Sequence, residues 1–160
     1  MQVSNIKKEL LAPCGLYCGV CAIYIADRDN NQKFKERLVN VYKPLSKTVD
    51  DIKCKGCLSD KKEDLFGYCQ LCTIRDCIQT KKINGCYECN DFPCKHIENF
   101  PVPGGKKVIL KAIYSWKEIG TEKWVKEEEE RYHCPECNNP MFREFKTKRC
   151  NKCGFSVDVD

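Results

Sequence analysis

Fifteen of the 160 residues are cysteine, and most stand in tight pairs or triplets. Six of the gaps are Cys-x-x-Cys. Two residues between thiolates let one turn aim both sulfurs at a single tetrahedral ion. The chain therefore reads as a protein organised by several metal ions, with zinc as the expected ion.

The clearest constellation is C-terminal: Cys134-Pro-Glu-Cys137, twelve residues, then Cys150-Asn-Lys-Cys153-Gly154. Two knuckles a dozen residues apart, joined by a β-hairpin, make a zinc ribbon. Gly154 suits the left-handed turn of a knuckle. Phe142, Phe145, Phe155 and Val157 are expected on the small sheet face. Arg143, Lys146, Lys148, Arg149 and Lys152 form a basic rim that solubilises the module or touches phosphates. His133 abuts the site and is expected to stay outside it.

The second constellation is Cys14-x3-Cys18-x2-Cys21. Radical-SAM enzymes hold a four-iron cluster with this spacing. Here Val20 stands where those enzymes place an aromatic, and the chain is short for a barrel of ~200 residues or more. Structural zinc is favoured over an iron–sulfur cluster, which remains the alternative at these three thiols.

Between the two lie Cys54, Cys57, Cys69, Cys72, Cys77, Cys86, Cys89 and Cys94. Residues 1–100 thus hold eleven cysteines, and His96 makes twelve candidate ligands, enough for three four-coordinate sites. One partition is sequential: Cys54, Cys57, Cys69 and Cys72; then Cys77, Cys86, Cys89 and Cys94; then Cys14, Cys18, Cys21 and His96. Interleaved pairings satisfy the same count. With the ribbon, about four zinc ions are expected.

Metal rather than disulfides follows from the odd cysteine count and from the poor stapling reach of adjacent pairs. Met1 to Pro13 has no apolar run of signal-peptide length. No apolar stretch nears the ~20 residues of a membrane helix. A cytoplasmic protein that does not enter a membrane is expected. The formal charge of +5 counts thiols as neutral. With sixteen ligands on four zinc ions it falls to about −2, so net basicity is no argument for nucleic acid.

The elements that position these residues are few. The fold class expected is a small metal-organised α+β: an irregular cysteine-rich domain at 1–100, a helical segment at 101–132 packing on it, and the ribbon at 133–160. Helices are expected just after Cys18 and over about 31–42, where Phe34, Leu38, Val41 and Tyr42 share a face. Residues 48–93 read as loops and knuckles with a thin apolar core. Pro103, Gly104 and Gly105 read as a break before a helix at 106–119, with Val108, Ala112, Trp116 and Ile119 in phase. Gly120 suits the residue after a helix end, and Thr121 a cap for the next helix. Glu127 to Glu130 is expected to be a solvated face. Replacing Cys137 or Cys150 is expected to unfold the ribbon alone.

The strings Cys14-Gly-Leu-Tyr-Cys18-Gly-Val-Cys21, Cys54-Lys-Gly-Cys57, Cys72-Thr-Ile-Arg-Asp-Cys77 and Gly85-Cys86-Tyr-Glu-Cys89-Asn-Asp-Phe-Pro-Cys94 follow one another in that order. Over residues 12–124 the chain resembles a cysteine-rich prokaryotic family defined as a domain of unknown function. The resemblance implies metal binding and a cytoplasmic setting, and implies no activity. The ribbon matches on generic spacing only.

The expected function is thus a structural zinc protein that contacts a protein or nucleic acid, with Arg75, Lys81, Lys82 and Lys95 as candidate surface contacts. An iron–sulfur or thiol redox protein is the alternative, and an enzyme with an open zinc site is third. The sequence has no nucleophile elbow, no metalloprotease helix and only two histidines, so hydrolase chemistry is not expected.

Overall fold

The structure is a computed structural model that describes residues 5–159; Met1 to Ser4, part of the start inspected for a leader, lie outside the described residues. Helices occupy the first four-fifths of the chain and a small sheet the last fifth. They are α1 (Ala22–Arg28), α2 (Gln32–Val41), α3 (Gly67–Gln70), α4 (Thr73–Lys81), α5 (Lys95–Glu98), α6 (Pro103–Ile119) and α7 (Thr121–Arg131). Short 3-10 turns at Cys18–Val20 and Cys86–Glu88 carry cysteines directly. None of these helices is long and apolar enough to cross a membrane.

Local chemistry explains the boundaries. Asn31 caps α2, its side-chain oxygen accepting from the Phe34 amide at 3.0 Å. Phe34 and Leu38, one turn apart, bury one face. Helix α4 falls inside the stretch expected to be loops. Ile74 and Ile78 bury its inner face, and Lys82 ends it in the left-handed region at φ 56°. Helix α6 starts three residues before the sequence suggests. Pro103 is its first residue, where a missing N–H costs nothing, and Gly105 is buried where a Cβ would meet Phe100 at 2.6 Å.

The sheet is antiparallel in the order β1 (Met141–Glu144), β2 (Thr147–Cys150), β3 (Ser156–Asp158). Met141 pairs with Cys150 and Glu144 with Thr147 across the first hairpin. Its two-residue turn puts Phe145 at φ 51°.

One continuous apolar cluster joins all these parts. It is richer than the thin core expected of the cysteine-rich segment, with Ile23, Leu38, Ile52, Leu65 and Ile97 buried. Trp116 on α6 and Trp124 on α7 stack at 4.0 Å and 4°. Tyr87 stacks on Trp116 at 4.4 Å, and Tyr17 meets Trp124 edge-on at 5.8 Å. The α6–α7 hairpin is thereby packed on the cysteine-bearing turns. Thr121 is the first residue of α7 rather than its cap, and its hydroxyl accepts from Trp116 Nε1 at 2.9 Å. The acidic run is not wholly solvated: Glu128 is 1% exposed beside Arg131, and Glu129 accepts from the Tyr17 hydroxyl at 3.0 Å.

The segment 133–160 packs on the N-terminal part. Phe142 lies 5.7 Å from Phe34, Arg37 pairs with Glu144, and the Phe145 amide donates to the Tyr42 hydroxyl at 2.8 Å. Cys21 and Arg143 form a parallel bridge between the two segments. Val157 and Phe145, expected on a packed sheet face, are each 45% exposed.

Candidate metal centres

The hairpin β1–β2 and the two flanking knuckles bring Cys134, Cys137, Cys150 and Cys153 together, all four sulfurs within 4.8 Å of one another. Cys134 Sγ lies 3.5 Å from Cys153 Sγ, and Cys137 Sγ lies 3.6 Å from Cys150 Sγ. A tetrahedral zinc with ~2.3 Å bonds separates its sulfurs by ~3.8 Å, so the donor set fits one thiophilic ion. Each knuckle closes on a backbone bond: Asn138 N to Cys134 O, and Gly154 N to Cys150 O. Asn138 at φ 57° and Gly154 at φ 81° provide the left-handed residues these turns require. Asn139 donates its side-chain amide to Cys137 Sγ at 3.3 Å. That bond, aided by the Asn139 backbone amide, lowers the Cys137 thiol to about 6. His133 stays outside the set, bonding the Glu129 carbonyl.

The eleven cysteines of 1–100 lie in overlapping electrostatic surroundings, with Cys57 acted on by Cys18 and Cys69 as well as by Cys14 and Cys72, and Cys86 by Cys14. Cys18, Cys21, Cys54 and Cys69 are all within electrostatic reach of one another. Cys14, Cys57 and Cys72 also act on one another. Cys77, Cys86, Cys89 and Cys94 line one cavity of about 260 Å³ between α4 and α5. Burial raises the thiols of Cys14, to about 11, and Cys86, to about 12, and pushes Cys18, Cys57 and Cys69 up as well. Burial disfavours the charged thiolate at each of them. Among the described residues, these groups do not close in threes to the 4.8 Å spacing of the ribbon.

His96 lines the cavity of Cys77, Cys86, Cys89 and Cys94, its Nδ1 bonded to Thr73 Oγ1 at 3.1 Å. Lys81 reaches over the same cavity, donating to Cys89 Sγ at 3.3 Å and pairing with Asp91 at 2.8 Å.

Two expected surface cations are internal. Arg75 is 3% exposed and ties Cys57 O and Ser59 O. Arg143 leaves the ribbon and donates through Nη2 to Leu16 O at 3.2 Å and Tyr17 O at 3.0 Å. Burial would lower its pKa, but the Tyr132 phenol and the thiols of Cys21 and Cys18 keep it charged. The local sequence is silent on both roles, since a cation among polar residues reads as surface.

The structure is a small α+β fold in which Cys134, Cys137, Cys150 and Cys153 form a group that could hold a metal ion, and the eleven further cysteines form no disulfide. The profile of DUF3795, described as a protein of unknown function, matches residues 10–99, and the chain belongs to that family. The match begins two residues earlier than the resemblance seen in the sequence and stops short of the α6–α7 hairpin. No curated protein and no solved structure matches the chain.

Proposed function

We propose that this protein is a structural zinc-binding scaffold that presents a surface to a protein or nucleic-acid partner in the cytoplasm. The ligands are Cys134, Cys137, Cys150 and Cys153 in the ribbon. In residues 1–100 they are Cys14, Cys18, Cys21, Cys54, Cys57, Cys69, Cys72, Cys77, Cys86, Cys89, Cys94 and His96. The observation that carries the proposal is the ribbon, whose four sulfurs already stand at single-ion spacing. Nucleic acid is the weaker partner class, because Arg143 and Arg75 are spent inside the fold.

One observation favours iron–sulfur chemistry as a second function. The N-terminal part holds eleven thiols, and among the described residues none of them stands in a group at single-ion spacing. A polynuclear cluster holds its ligand sulfurs further apart than one ion does.

The test is elemental analysis of protein purified without oxygen, with an absorption spectrum. About four zinc ions per chain and no visible band are expected. Iron with a broad band near ~400 nm would replace the scaffold by the redox function. A chain that retains no metal would overturn both.

A further inference from the structure

One turn of the cysteine-rich segment, Cys54-Lys55-Gly56-Cys57, is gripped at both ends by charged side chains from separate helices. At its start the Cys54 amide donates to Asp27 Oδ2 at 3.1 Å. At its end Arg75 Nε donates to Cys57 O at 2.8 Å, and Arg75 Nη2 to Ser59 O at 3.2 Å. Asp27 stands in the last turn of α1 and Arg75 in the first turn of α4. Their side chains are only 11% and 4% exposed. Burying a charge is costly, and both of these are committed to backbone atoms at the two ends of one turn.

The turn is also fixed between those anchors. Gly56 stands at φ 110°, and its amide donates to Cys54 Sγ at 3.4 Å. The Glu9 carbonyl packs against Gly56 and accepts from the Leu58 amide at 3.1 Å, and the Lys55 amide donates to Asp64 O at 2.8 Å. An amide bonded to the sulfur two residues before it recurs in the ribbon, where the Asn139 amide bonds Cys137. There the four sulfurs stand within 4.8 Å of one another. Amide donors on sulfur favour the thiolate, which is the form that binds metal. Asp27 adds little negative charge beside the thiols, because Lys35 at 2.9 Å and Lys55 at 3.2 Å pair with its two oxygens.

We propose that the Cys54–Cys57 turn is a two-thiol clamp for a thiophilic divalent ion, built before the ion arrives, and that Asp27 and Arg75 are its positioning residues. The inference rests on Cys54 and Cys57 being metal ligands, and adds which side chains hold them ready. Ordering a loop opposes binding; a turn already ordered in the metal-free chain places that cost on folding and not on capture of the ion. Neither Asp27 nor Arg75 touches the metal. The clamp supplies two ligands, and other thiols complete the ion.

The first test uses the full wild-type chain. Hydrogen exchange at the Cys54 and Gly56 amides is followed by NMR in metal-free protein, and thiol labelling by N-ethylmaleimide with and without zinc. Both amides should exchange at least ~tenfold more slowly than in an unfolded chain before zinc is added. Labelling that zinc slows, with free amide exchange beforehand, would overturn the inference alone. Labelling of Cys54 and Cys57 that zinc does not slow would overturn their assignment as ligands, and the inference with it. The second test titrates zinc-loaded variants with EDTA, pulses them with N-ethylmaleimide and maps the label by peptide mass spectrometry. Asp27→Ala should free Cys54 and Cys57 at a chelator level about tenfold or more below wild type, with the ribbon thiols unchanged. Arg75→Met should shift the same two thiols in the same direction. Asp27→Asn keeps an oxygen for the Cys54 amide while losing both lysine pairs, and should restore most of the wild-type level. Equal shifts at the ribbon thiols, no shift at Cys54 and Cys57, or no rescue by asparagine would overturn the positioning role. Should the alanine or methionine variant fail to fold, wild-type exchange still decides whether the clamp is prebuilt, and Asp27→Asn whether the amide bond sets the affinity.

Discussion

Trp124 offers a quantitative test of how the α6–α7 hairpin is held to the cysteine-bearing turns. It is fully buried, stacked on Trp116 at 4.0 Å and edged by Tyr17. A buried indole removes up to ~250 Å² from water, which sets a ceiling near ~6 kcal/mol. Its truncation to alanine leaves a ring-sized hole between Trp116 and Tyr17, and Trp124→Ala should cost about 3–5 kcal/mol. Trp124→Phe is a different perturbation. Trp124 Nε1 is buried without a hydrogen-bond partner among the described residues, so phenylalanine deletes an orphan donor while keeping most of the stack. Relief of that donor offsets part of the smaller cavity, and the net cost should be about 1 kcal/mol. Urea unfolding of the metal-loaded protein by far-UV circular dichroism measures both at unchanged m-value. Near-UV circular dichroism reports the stacked pair directly, and its coupled signal should vanish in both variants. An alanine cost under ~1 kcal/mol, or equal costs for the two variants, would refute the packing argument.

Three further outcomes are expected. In metal-free protein, Cys137 should be the first thiol alkylated by iodoacetamide, with a midpoint near pH 6; Asn139→Ala should move that midpoint toward the ordinary thiol value of 9.0. The sign follows from a depressed folded-state pKa: the stabilisation is complete above the ordinary value and is lost as pH falls through about 6, so an acid-side loss of the metal-free ribbon is the check, by circular dichroism against pH. Gly56→Ala should lower stability by about 2–4 kcal/mol, because the residue stands at φ 110° and its Cβ would lie 2.4 Å from the Glu9 carbonyl oxygen; an unchanged melting temperature would contradict that geometry. Tyr42→Phe should cost about 1–2 kcal/mol and raise hydrogen exchange at the Phe145 amide, which loses its acceptor; exchange equal to wild type would show that the bond contributes nothing.

Much of this fold was legible in the sequence because its signals are local. The ribbon follows from two Cys-x-x-Cys knuckles and a left-handed Gly154. Helix α2 follows from Asn31 and the Phe34–Leu38 spacing. What escaped depends on partners distant in the chain. Helix α4 has few apolar residues and reads as loop until Ile74 and Ile78 find the core. Glu128 sits in a run of four glutamates that looks uniformly solvated, yet α7 turns that one position inward. Arg143 and Arg75 look like surface cations, since only tertiary contacts reveal the carbonyls they tie. How the middle cysteines pair is equally a long-range matter, because Cys-x-x-Cys spacing states that two sulfurs are close and not that they serve one ion.

The Arg143 contact with Leu16 and Tyr17 has a consequence for the order of events during synthesis. A chain made from its N-terminus exposes all eleven early cysteines before residue 143 exists. Until then the buried guanidinium, the Arg37–Glu144 pair and the Phe34–Phe142 contact are all absent. The N-terminal part therefore completes its packing only after the last β-hairpin has been made and has closed over Leu16 and Tyr17.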